Sequence, residues 1–325
     1  MTGIRSWGIL ALPIILLVAG GCNGPKSSAS SDSTPTGTVI YVSTGWTDPW
    51  SKTYESQMDL ASKQIAGEVK FEKVDGGGDP QKQIKAVDDA IGKKPQVLMV
   101  SPIDESVLPE LARAKSAGIF VFQLDRCYVP WTTNKSPCNS FYGADLPGIA
   151  SGAPFYYVSN LRQKGTGLIV PDSSADGQEL LLGMQSSIKA KFKGNITTVM
   201  GEDCGTDENK AKAFVASYLK SGKPVDVIFT MNDAATLGAA EAVKEAGVKK
   251  YIFGVGNGSK EVYDAVKDGT VYATSFIPPG GPTALGAVPS ALKHERIPKN
   301  SFIPSGMILQ KNVDQYLKDS SVPAS

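Results

Sequence analysis

The 325-residue chain has very few of the residues that enzymes use for acid–base or metal chemistry. It contains a single histidine, His294, and four cysteines. His294 has no ligand partner close to it in the sequence, and the cysteine spacing matches no zinc pattern. A Ser–His–Asp set is not credible, because this histidine falls in a late helix that we expect to be exposed. We therefore expect no metal site.

The chain also lacks the glycine motifs of nucleotide-binding enzymes. Glycines cluster at 76–78, 254–258 and 280–281, but the dinucleotide fingerprint and the P-loop are both missing. The first predicted strand is followed by Ser43-Thr44-Gly45-Trp46-Thr47 instead. We expect no cofactor and no enzymatic activity.

An excess of charge is missing as well. There are 33 basic and 32 acidic residues, and without Arg5 in the first 21 residues the two signs are equal at 32 each. A balanced chain offers no basic field for nucleic acid and no polybasic run for a membrane surface. A DNA-binding repressor would begin with a helix-turn-helix, whereas this chain begins with a short apolar run after Arg5.

The N-terminus predicts export. Arg5 precedes the apolar run Ile9–Ala19, which is too short for a confident membrane span and is typical of a signal peptide. Cys22 follows small residues as in a lipobox, so we expect Cys22 to be lipidated and to begin the mature chain. The polar stretch Asn23–Gly37 would be a flexible tether. An ordinary signal peptide cleaved nearby is the alternative.

Three cysteines remain after Cys22. Outside the cytoplasm disulfides persist, and Cys127 and Cys138 flank a loop that contains proline and asparagine. We predict a disulfide between these two and leave Cys204 unpaired.

From Thr38 onward, short β-branched runs alternate with helical segments, which predicts parallel sheets with right-handed crossovers. Asp48-Pro49 and Asp79-Pro80 each place a capping carboxylate before a proline at the first helical position. The segments 107–116 and 234–245 carry apolar residues at helical spacing. The predicted strands are Val39–Ser43, Val69–Val74, Val97–Val100, Phe120–Leu124, Gly167–Val170, Thr197–Met200, Val227–Thr230, Ile252–Val255 and Val271–Phe276.

This alternation occurs twice, ending near Leu124 and again near Phe276, so we predict two doubly wound α/β lobes of the Rossmann-like kind. One more helix, Pro282–Lys293, and a returning strand, Phe302–Leu309, would complete the chain. In such sheets ligands bind beyond the carboxyl ends of the strands, where the loops converge.

Those loops carry an ordered set of motifs: Val42-Ser43-Thr44, Asp48-Pro49-Trp50, Val100-Ser101-Pro102, Leu124-Asp125-Arg126, Asn232-Asp233 with Leu237-Gly238-Ala239, and Gly254-Val255. With these motifs in this order, the chain resembles type I periplasmic binding proteins of the ribose- and galactose-binding kind, the receptors of ABC sugar importers. The resemblance covers Thr38 to about Leu317.

The resemblance implies three crossings between the lobes, near Ala144, Ile277 and Pro304. The predicted organisation is a signal peptide (1–21), a tether (22–37), an N-terminal lobe (38–144 plus 278–304) and a C-terminal lobe (145–277 plus 305–325).

The resemblance also implies which residues contact a sugar. Asp125 and Arg126 supply an acceptor and a rigid donor fork after a strand, although an intramolecular salt bridge is the alternative for this pair. Asn232 would bind the ligand, while Asp233 would cap the following helix. Trp131, in the loop between the two cysteines, could either reach over the cleft or shield the disulfide.

Asp48 matches a sugar-contacting position and could also cap its helix. Trp50 matches an aromatic that stacks on the sugar ring. Trp46 lies close by, and Tyr54 shares the helix face of Trp50, where packing explains it equally well.

Several positions depart from the ribose receptors. The arginine that they carry near Leu180 is missing here, and Gln178 or Glu179 could replace it. Asn257 stands where an aspartate is usual. Ile277 replaces a hydrogen-bonding glutamine, and Phe276 beside it could add an aromatic wall. The predicted ligand-binding set is Ser43, Trp46, Asp48, Trp50, Ser101, Asp125, Arg126, Gln178, Asn232, Asn257 and Phe276.

We therefore expect a monomeric, lipid-anchored, extracytoplasmic solute-binding protein that binds a small sugar and delivers it to an ABC permease. The alternative is a receptor that reports a sugar-like ligand or an autoinducer furanose to a sensor kinase or a chemosensory system.

Overall fold

The computed structural model describes residues 37–45, 49–67, 69–128 and 136–318. The predicted signal peptide, Cys22 and the tether up to residue 36 lie outside these ranges, as do Trp46, Asp48 and Trp131. The strands are β1 (Gly37–Val42), β2 (Val69–Val74), β3 (Val97–Val100), β4 (Phe120–Leu124), β5 (Ser140–Ala144), β6 (Gly165–Val170), β7 (Ile196–Met200), β8 (Val227–Thr230), β9 (Tyr251–Gly256), β10 (Ala273–Phe276), β11 (Asn300–Ile303) and β12 (Met307–Leu309).

Helices connect most of these strands. The α-helices are α1 (Pro49–Ser62), α2 (Pro80–Gly92), α3 (Leu108–Ser116), α4 (Leu146–Phe155), α5 (Ala175–Lys191), α6 (Glu208–Lys220), α7 (Asp233–Glu245), α8 (Lys260–Asp268), α9 (Gly280–Leu285), α10 (Val288–Leu292) and α11 (Val313–Leu317). A 3₁₀ turn at Glu105–Val107 leads into α3, and a π-helical turn at Tyr156–Asn160 follows α4.

The strands form two six-stranded sheets. The first has the order β11-β5-β4-β3-β1-β2, and every pairing in it is parallel. The second has the order β12-β10-β9-β8-β6-β7 and is parallel except at its edge, where β12 runs antiparallel to β10. The predicted fold class, two doubly wound α/β lobes, is confirmed.

Strand β1 shows why the apolar runs in the sequence are nearly continuous. Val39 and Tyr41 belong to the hydrophobic core on one face of the first sheet, whereas Ile40 and Val42 belong to the core on the other face. A strand covered by helices on both sides must be apolar at successive positions rather than at alternate ones. The predicted strand bounds agree with the observed bounds to within two residues for the nine strands proposed.

The start of α2 follows the predicted capping signal. Asp79 has an extended backbone, and its Oδ1 accepts hydrogen bonds from the amides of Gln81 and Lys82, at 3.0 and 3.1 Å. Pro80 occupies the first helical position, where no amide hydrogen is needed.

The chain passes between the sheets three times. It leaves the first sheet after β5, returns to it after β10, and leaves it again between β11 and β12. The sequence suggested one returning strand at 302–309, but the segment Pro304-Ser305-Gly306 separates two short strands that join different sheets.

Two other elements differ from the prediction. The predicted helix at 282–293 is divided into α9 and α10. Strand β5 was not predicted, because Ser140, Tyr142 and Gly143 give it no apolar run.

The predicted disulfide between Cys127 and Cys138 is not formed in the structure, so this prediction is corrected. Asn139 donates its amide to the carbonyl of Val121 at 2.8 Å, which places Cys138 beside the first half of β4. Cys127 instead comes three residues after β4 ends. The thiol of Cys138 packs into the core under α3, 3.1 Å from Ser136 Oγ, and burial raises the pKa of this thiol.

No helix within the described ranges combines the length and the apolar character that crossing a bilayer would require.

Candidate functional site

A cavity of about 370 Å³ lies where the carboxyl ends of strands from both sheets face each other. Its size falls within the usual range for small-molecule sites, roughly 300 to 1,000 Å³. The first sheet contributes the loops after β1, β3 and β4, and the second contributes the start of α5 and the loops after β9 and β10. The described residues that line it are Thr44, Gly45, Gly78, Ser101, Pro102, Ile103, Asp125, Arg126, Ala144, Leu146, Asp176, Asn257, Ile277 and Pro278.

Asp125 lies at the end of β4 and has a left-handed backbone, with φ of 64°. Aspartate is among the few residues that adopt this conformation at low cost. Its carboxylate accepts three hydrogen bonds within the first-sheet region: from Ser101 Oγ at 2.5 Å and Tyr54 OH at 3.0 Å, and from the amide of Gly280 at 2.7 Å. Burial raises the pKa of Asp125, while these three donors lower it and so oppose the effect of burial.

The glycine pair 280–281 serves this arrangement. A Cβ on Gly280 would lie 2.1 Å from the carbonyl oxygen of Tyr142, so only glycine lets the chain approach closely enough. The amide of Gly281 donates to Tyr54 OH at 2.8 Å. This glycine cluster therefore ties the loop after β10 to Asp125 and Tyr54. Tyr54 packs within the hydrophobic core of the first sheet, where its hydroxyl group is also hydrogen-bonded.

Arg126 reaches from the first sheet to the second. Its Nε donates to Asp176 Oδ1 at 2.8 Å and its Nη2 to Asp176 Oδ2 at 3.1 Å, a bidentate pair. Asp176 lies in the first turn of α5, where Ser174 caps the helix by accepting from the amide of Gly177. The carboxylate of Asp176 raises the pKa of Arg126 above its ordinary value against the opposing effect of burial, so the guanidinium stays charged.

Asn232, rather than the predicted Asp233, caps α7. Asn232 Oδ1 accepts from the amide of Ala235 at 2.7 Å and so caps α7. The Nδ2 of Asn232 donates to Asp172 Oδ2 at 3.0 Å and to the carbonyl of Gly205 at 2.8 Å. Asp233 Oδ2 accepts from the amide of Ser259 at 2.9 Å, and burial raises the pKa of Asp233.

Of the predicted site residues, the structure brings Ser101, Asp125, Arg126 and Asn257 together around the cavity. Asn257 is exposed on the wall contributed by the second sheet. Trp50 lies in the first turn of α1, and nothing of its side chain is described. Trp46 and Asp48 precede that helix, outside the described residues.

Four predicted site residues do not line this cavity. Ser43 is buried behind it, where its carbonyl accepts from Gln83 Nε2 at 2.7 Å. Gln178 is exposed and donates to the carbonyl of Ser173 at 2.8 Å. Phe276 packs against the core of the second sheet, and Asn232 is occupied as described above. The sequence pattern alone could not show how these side chains are oriented.

Sequence reasoning missed Asp176, Thr44 and Ile277 as lining residues. Gln178 was chosen from the region that follows β6 in place of Asp176. The sequence did offer an acidic residue in the first turn of α5, but its contact with Arg126 joins positions 50 residues apart. Among the residues described, no cluster of three His, Cys, Asp or Glu side chains is arranged to hold a metal ion. The expectation that the protein has no metal site stays a prediction.

Comparisons with known proteins identify the family. A family model described as a periplasmic binding protein domain matches residues 39–288. The chain is 26% identical over 258 residues to the galactofuranose-binding protein YtfQ of Escherichia coli, which covers 76% of this chain and 78% of that protein. It is 24% identical over 313 residues to the fructose import binding protein FruE of Bifidobacterium longum, covering 93% and 94% of the two chains.

Among solved structures, the protein resembles an ABC transporter solute-binding protein from Bacillus halodurans that holds myo-inositol. The TM-score is 0.71 at 18% identity, over 88% of this chain and 98% of that one, which shows a common fold. The family match covers most of the chain, and the two sheets, joined by three crossings, have the arrangement that the fold requires. The chain belongs to the periplasmic binding protein domain family and has its two-lobed type I fold.

Proposed function

We propose that this protein is the extracytoplasmic solute-binding component of an ABC importer and binds a small sugar between its two lobes. The observation that carries the proposal is the cavity between the carboxyl ends of the two sheets, where Arg126 of one sheet region meets Asp176 of the other. The names of the relatives support the sugar class, because they describe binding proteins for galactofuranose, fructose and ribose.

The cavity suits a hydroxyl-rich guest. Hydroxyl groups both donate and accept, so they need fixed acceptors and donors within one cavity. The carboxylates of Asp125 and Asp176 supply acceptors. The guanidinium of Arg126 and the amide of Asn257 supply donors. Ile277, Leu146 and Pro102 give the wall an apolar part for the C–H face of a sugar ring. The proposed contacts are Ser101, Asp125, Arg126, Asp176 and Asn257, together with Trp46 and Asp48 before α1 and Trp50 in its first turn.

The proposed lobes follow the three crossings. Residues 38–144 and 278–304 form one lobe, and residues 145–277 and 305–325 form the other. Binding draws the lobes together, because only the closed form offers a ligand contacts from both sides. The closed protein then docks on a permease as a monomer, and opening of the lobes releases the ligand.

The export signals complete the proposal. Residues 1–21 act as a signal peptide, Cys22 carries the lipid anchor, and the segment from Cys22 to the start of β1 at Gly37 tethers the lobes to the membrane. Lipid chains on one cysteine provide about 0.8 kcal/mol of membrane affinity per buried methylene. The same proposal assigns no catalysis, no nucleic acid and no cofactor to the protein.

A thermal-shift screen of the mature protein against pentoses, hexoses, polyols and furanoses tests the function. A ligand that binds only the folded state stabilises it by roughly 2.7 kcal/mol at a hundredfold excess over Kd, so the Tm rises with ligand concentration. Calorimetry on each hit gives the stoichiometry, which we expect to be one. The proposal is overturned if no sugar or polyol raises the Tm while another solute class does, or if a bound sugar is chemically converted.

A further inference from the structure

Acidic side chains outnumber basic ones among the described residues of the cavity. Among the described residues that line it, the ionisable side chains are Asp125, Arg126 and Asp176. Two carboxylates face one guanidinium, so the described part of the wall carries a formal net charge of −1. Glu179, one turn further along α5, adds another carboxylate close to Arg126 and Asp176 in the adjoining space. An anionic guest would therefore enter a site whose formal charge has the same sign as its own.

Two N–H donors of Arg126 are already hydrogen-bonded to a group of the protein. Its Nε and Nη2, which form the fork that best fits a carboxylate or a phosphate, both donate to Asp176. Its Nη1 lies 3.4 Å from the carbonyl of Ile103. Asp176 thus occupies the place on the guanidinium that the acidic group of a ligand would otherwise take.

The side chains of Arg126 and Asp176 are only 35% and 34% exposed, so the pair is partly shielded from water. A ligand carboxylate that took the fork would leave Asp176 without its partner and beside a second anion. Unpaired charge in such surroundings is costly. A neutral hydroxyl instead can accept from Arg126 or donate to Asp176 without breaking the pair.

We propose that Asp176 determines the charge specificity of the site: it occupies the guanidinium fork of Arg126 and thereby excludes sugar acids and sugar phosphates in favour of neutral sugars. This inference rests on the proposed function, because it presumes that the cavity is the sugar site. Asp176 acts on the ligand both directly, as an acceptor for hydroxyl groups, and by controlling which donors Arg126 offers.

The test compares matched pairs of ligands on the Asp176→Asn variant. Asparagine keeps the size of aspartate and removes its charge. The probes are D-glucose with D-glucuronate, D-galactose with D-galacturonate, and D-ribose with D-ribose 5-phosphate, together with each neutral hit of the screen and its acid or phosphate. Asp264→Asn is the control, since it makes the same change at an exposed, salt-bridged position of α8 outside the cavity.

The wild-type protein and the control should bind the neutral member of a pair and not the anionic one. Asp176→Asn should gain affinity for the anionic member by about tenfold or more, which corresponds to roughly 1.4 kcal/mol, and lose less than that for the neutral one. Circular dichroism and retained binding of the neutral sugar show that the variant is folded.

The outcomes separate the two claims. Wild-type protein that binds an anionic sugar as tightly as its neutral partner overturns the inference and leaves the proposed sugar-binding function standing. The same holds if folded Asp176→Asn gains no affinity for any anionic probe. Wild-type protein that binds no probe of either charge, and no sugar of the screen, contradicts the proposed function and the inference with it.

Discussion

Arg126 and Asp176 face each other across the two sheets, with both carboxylate oxygens of Asp176 accepting from the guanidinium at 2.8 and 3.1 Å. Arg126 follows β4 of the first sheet, and Asp176 begins a helix that follows β6 of the second. The pair is therefore a direct link between the two sheet regions. It also means that the guanidinium of the cavity is held by a carboxylate of the protein itself.

Removing this link should favour the open form. In Asp176→Ala the ligand-free lobes lose a bidentate contact that, at about one-third exposure, contributes about 0.2–1 kcal/mol to closure. We expect a larger radius of gyration for the ligand-free variant in small-angle X-ray scattering. Asp264→Ala is the control, because its exposed pair with Lys260 lies within one helix. Equal radii for wild type and Asp176→Ala would show that the pair does not hold the lobes together.

Asp125 should give stability a dependence on pH. Its folded-state pKa is raised above the ordinary value of 3.8, mainly by burial. The folded state therefore keeps the proton to a higher pH than the unfolded state does, and this contribution to stability is present below about pH 4 and is lost as the pH rises through the folded pKa. Compared with Asp125→Asn, the free energy of unfolding of the wild type should fall over that interval. Urea denaturation of both proteins at a series of pH values, starting from acid, measures this difference. Parallel curves of unfolding free energy against pH would contradict the prediction.

Loss of the Asp125 carboxylate should also weaken the loop after β10. Asp125→Ala leaves Ser101, Tyr54 and the Gly280 amide without their acceptor, and hydrogen bonds to a charged group contribute about 1.5–3 kcal/mol each. Because alanine is also unfavourable at a positive φ, we expect a loss of about 3 kcal/mol or more in unfolding free energy. Asparagine tolerates that backbone and keeps an acceptor, so Asp125→Asn should lose distinctly less. Equal losses would mean that the hydrogen bonds contribute little.

Two asparagines near the cavity should behave in opposite ways. Asn232→Ala removes the cap of α7 and two further hydrogen bonds, and caps alone contribute about 0.5–2 kcal/mol, so the Tm of the ligand-free protein should fall. Asn232→Asp keeps the capping acceptor but faces the carboxylate of Asp172, and should also be destabilised. Denaturant unfolding without ligand tests this, and an unchanged midpoint for Asn232→Ala would contradict the capping role.

Asn257→Ala should instead affect binding alone. Asn257 is exposed on the cavity wall, so its loss should leave the Tm of the ligand-free protein unchanged. One hydrogen bond to a neutral hydroxyl contributes about 0.5–1.5 kcal/mol, which predicts a two- to tenfold rise in Kd. Calorimetry with the best sugar of the screen measures it. A lower Tm with unchanged Kd would assign Asn257 a structural role.

The parts of the fold that could be predicted from the sequence are those set by neighbouring residues. The near-continuous apolar runs identified nine strands, because helices on both faces of a parallel sheet require them. Asp79 and Pro80 marked the start of α2, since a cap needs only its own next three amides. The edge of the sheets at which the cavity lies followed from the rule that ligands bind beyond the carboxyl ends of parallel strands.

The roles of single side chains at that edge were harder to predict. Asn232 was expected to bind a ligand, yet Asp172 and Gly205, which are 60 and 27 residues away in sequence, occupy its amide. Gln178 and Asp176 lie two positions apart on one helix, and the path of the chain after β6 decides which of them faces the cavity. The structure forms no bond between Cys127 and Cys138 and buries Cys138 in the core under α3, a contact that the spacing of the two cysteines does not reveal.

The sequence by itself determined the alternation of strands and helices and the lobes as a class of fold, and its ordered motifs indicated the family. The first two depend on periodicity and on residues adjacent in the chain, and the balanced charge predicts that no partner is recruited by charge alone. The tertiary structure alone decided that Asp125 is held by three donors, that Arg126 is bound to Asp176, and that carboxylates outnumber the guanidinium among the described residues of the cavity. Each of these depends on groups brought together from distant segments, and no local pattern in the chain specifies which of them will meet.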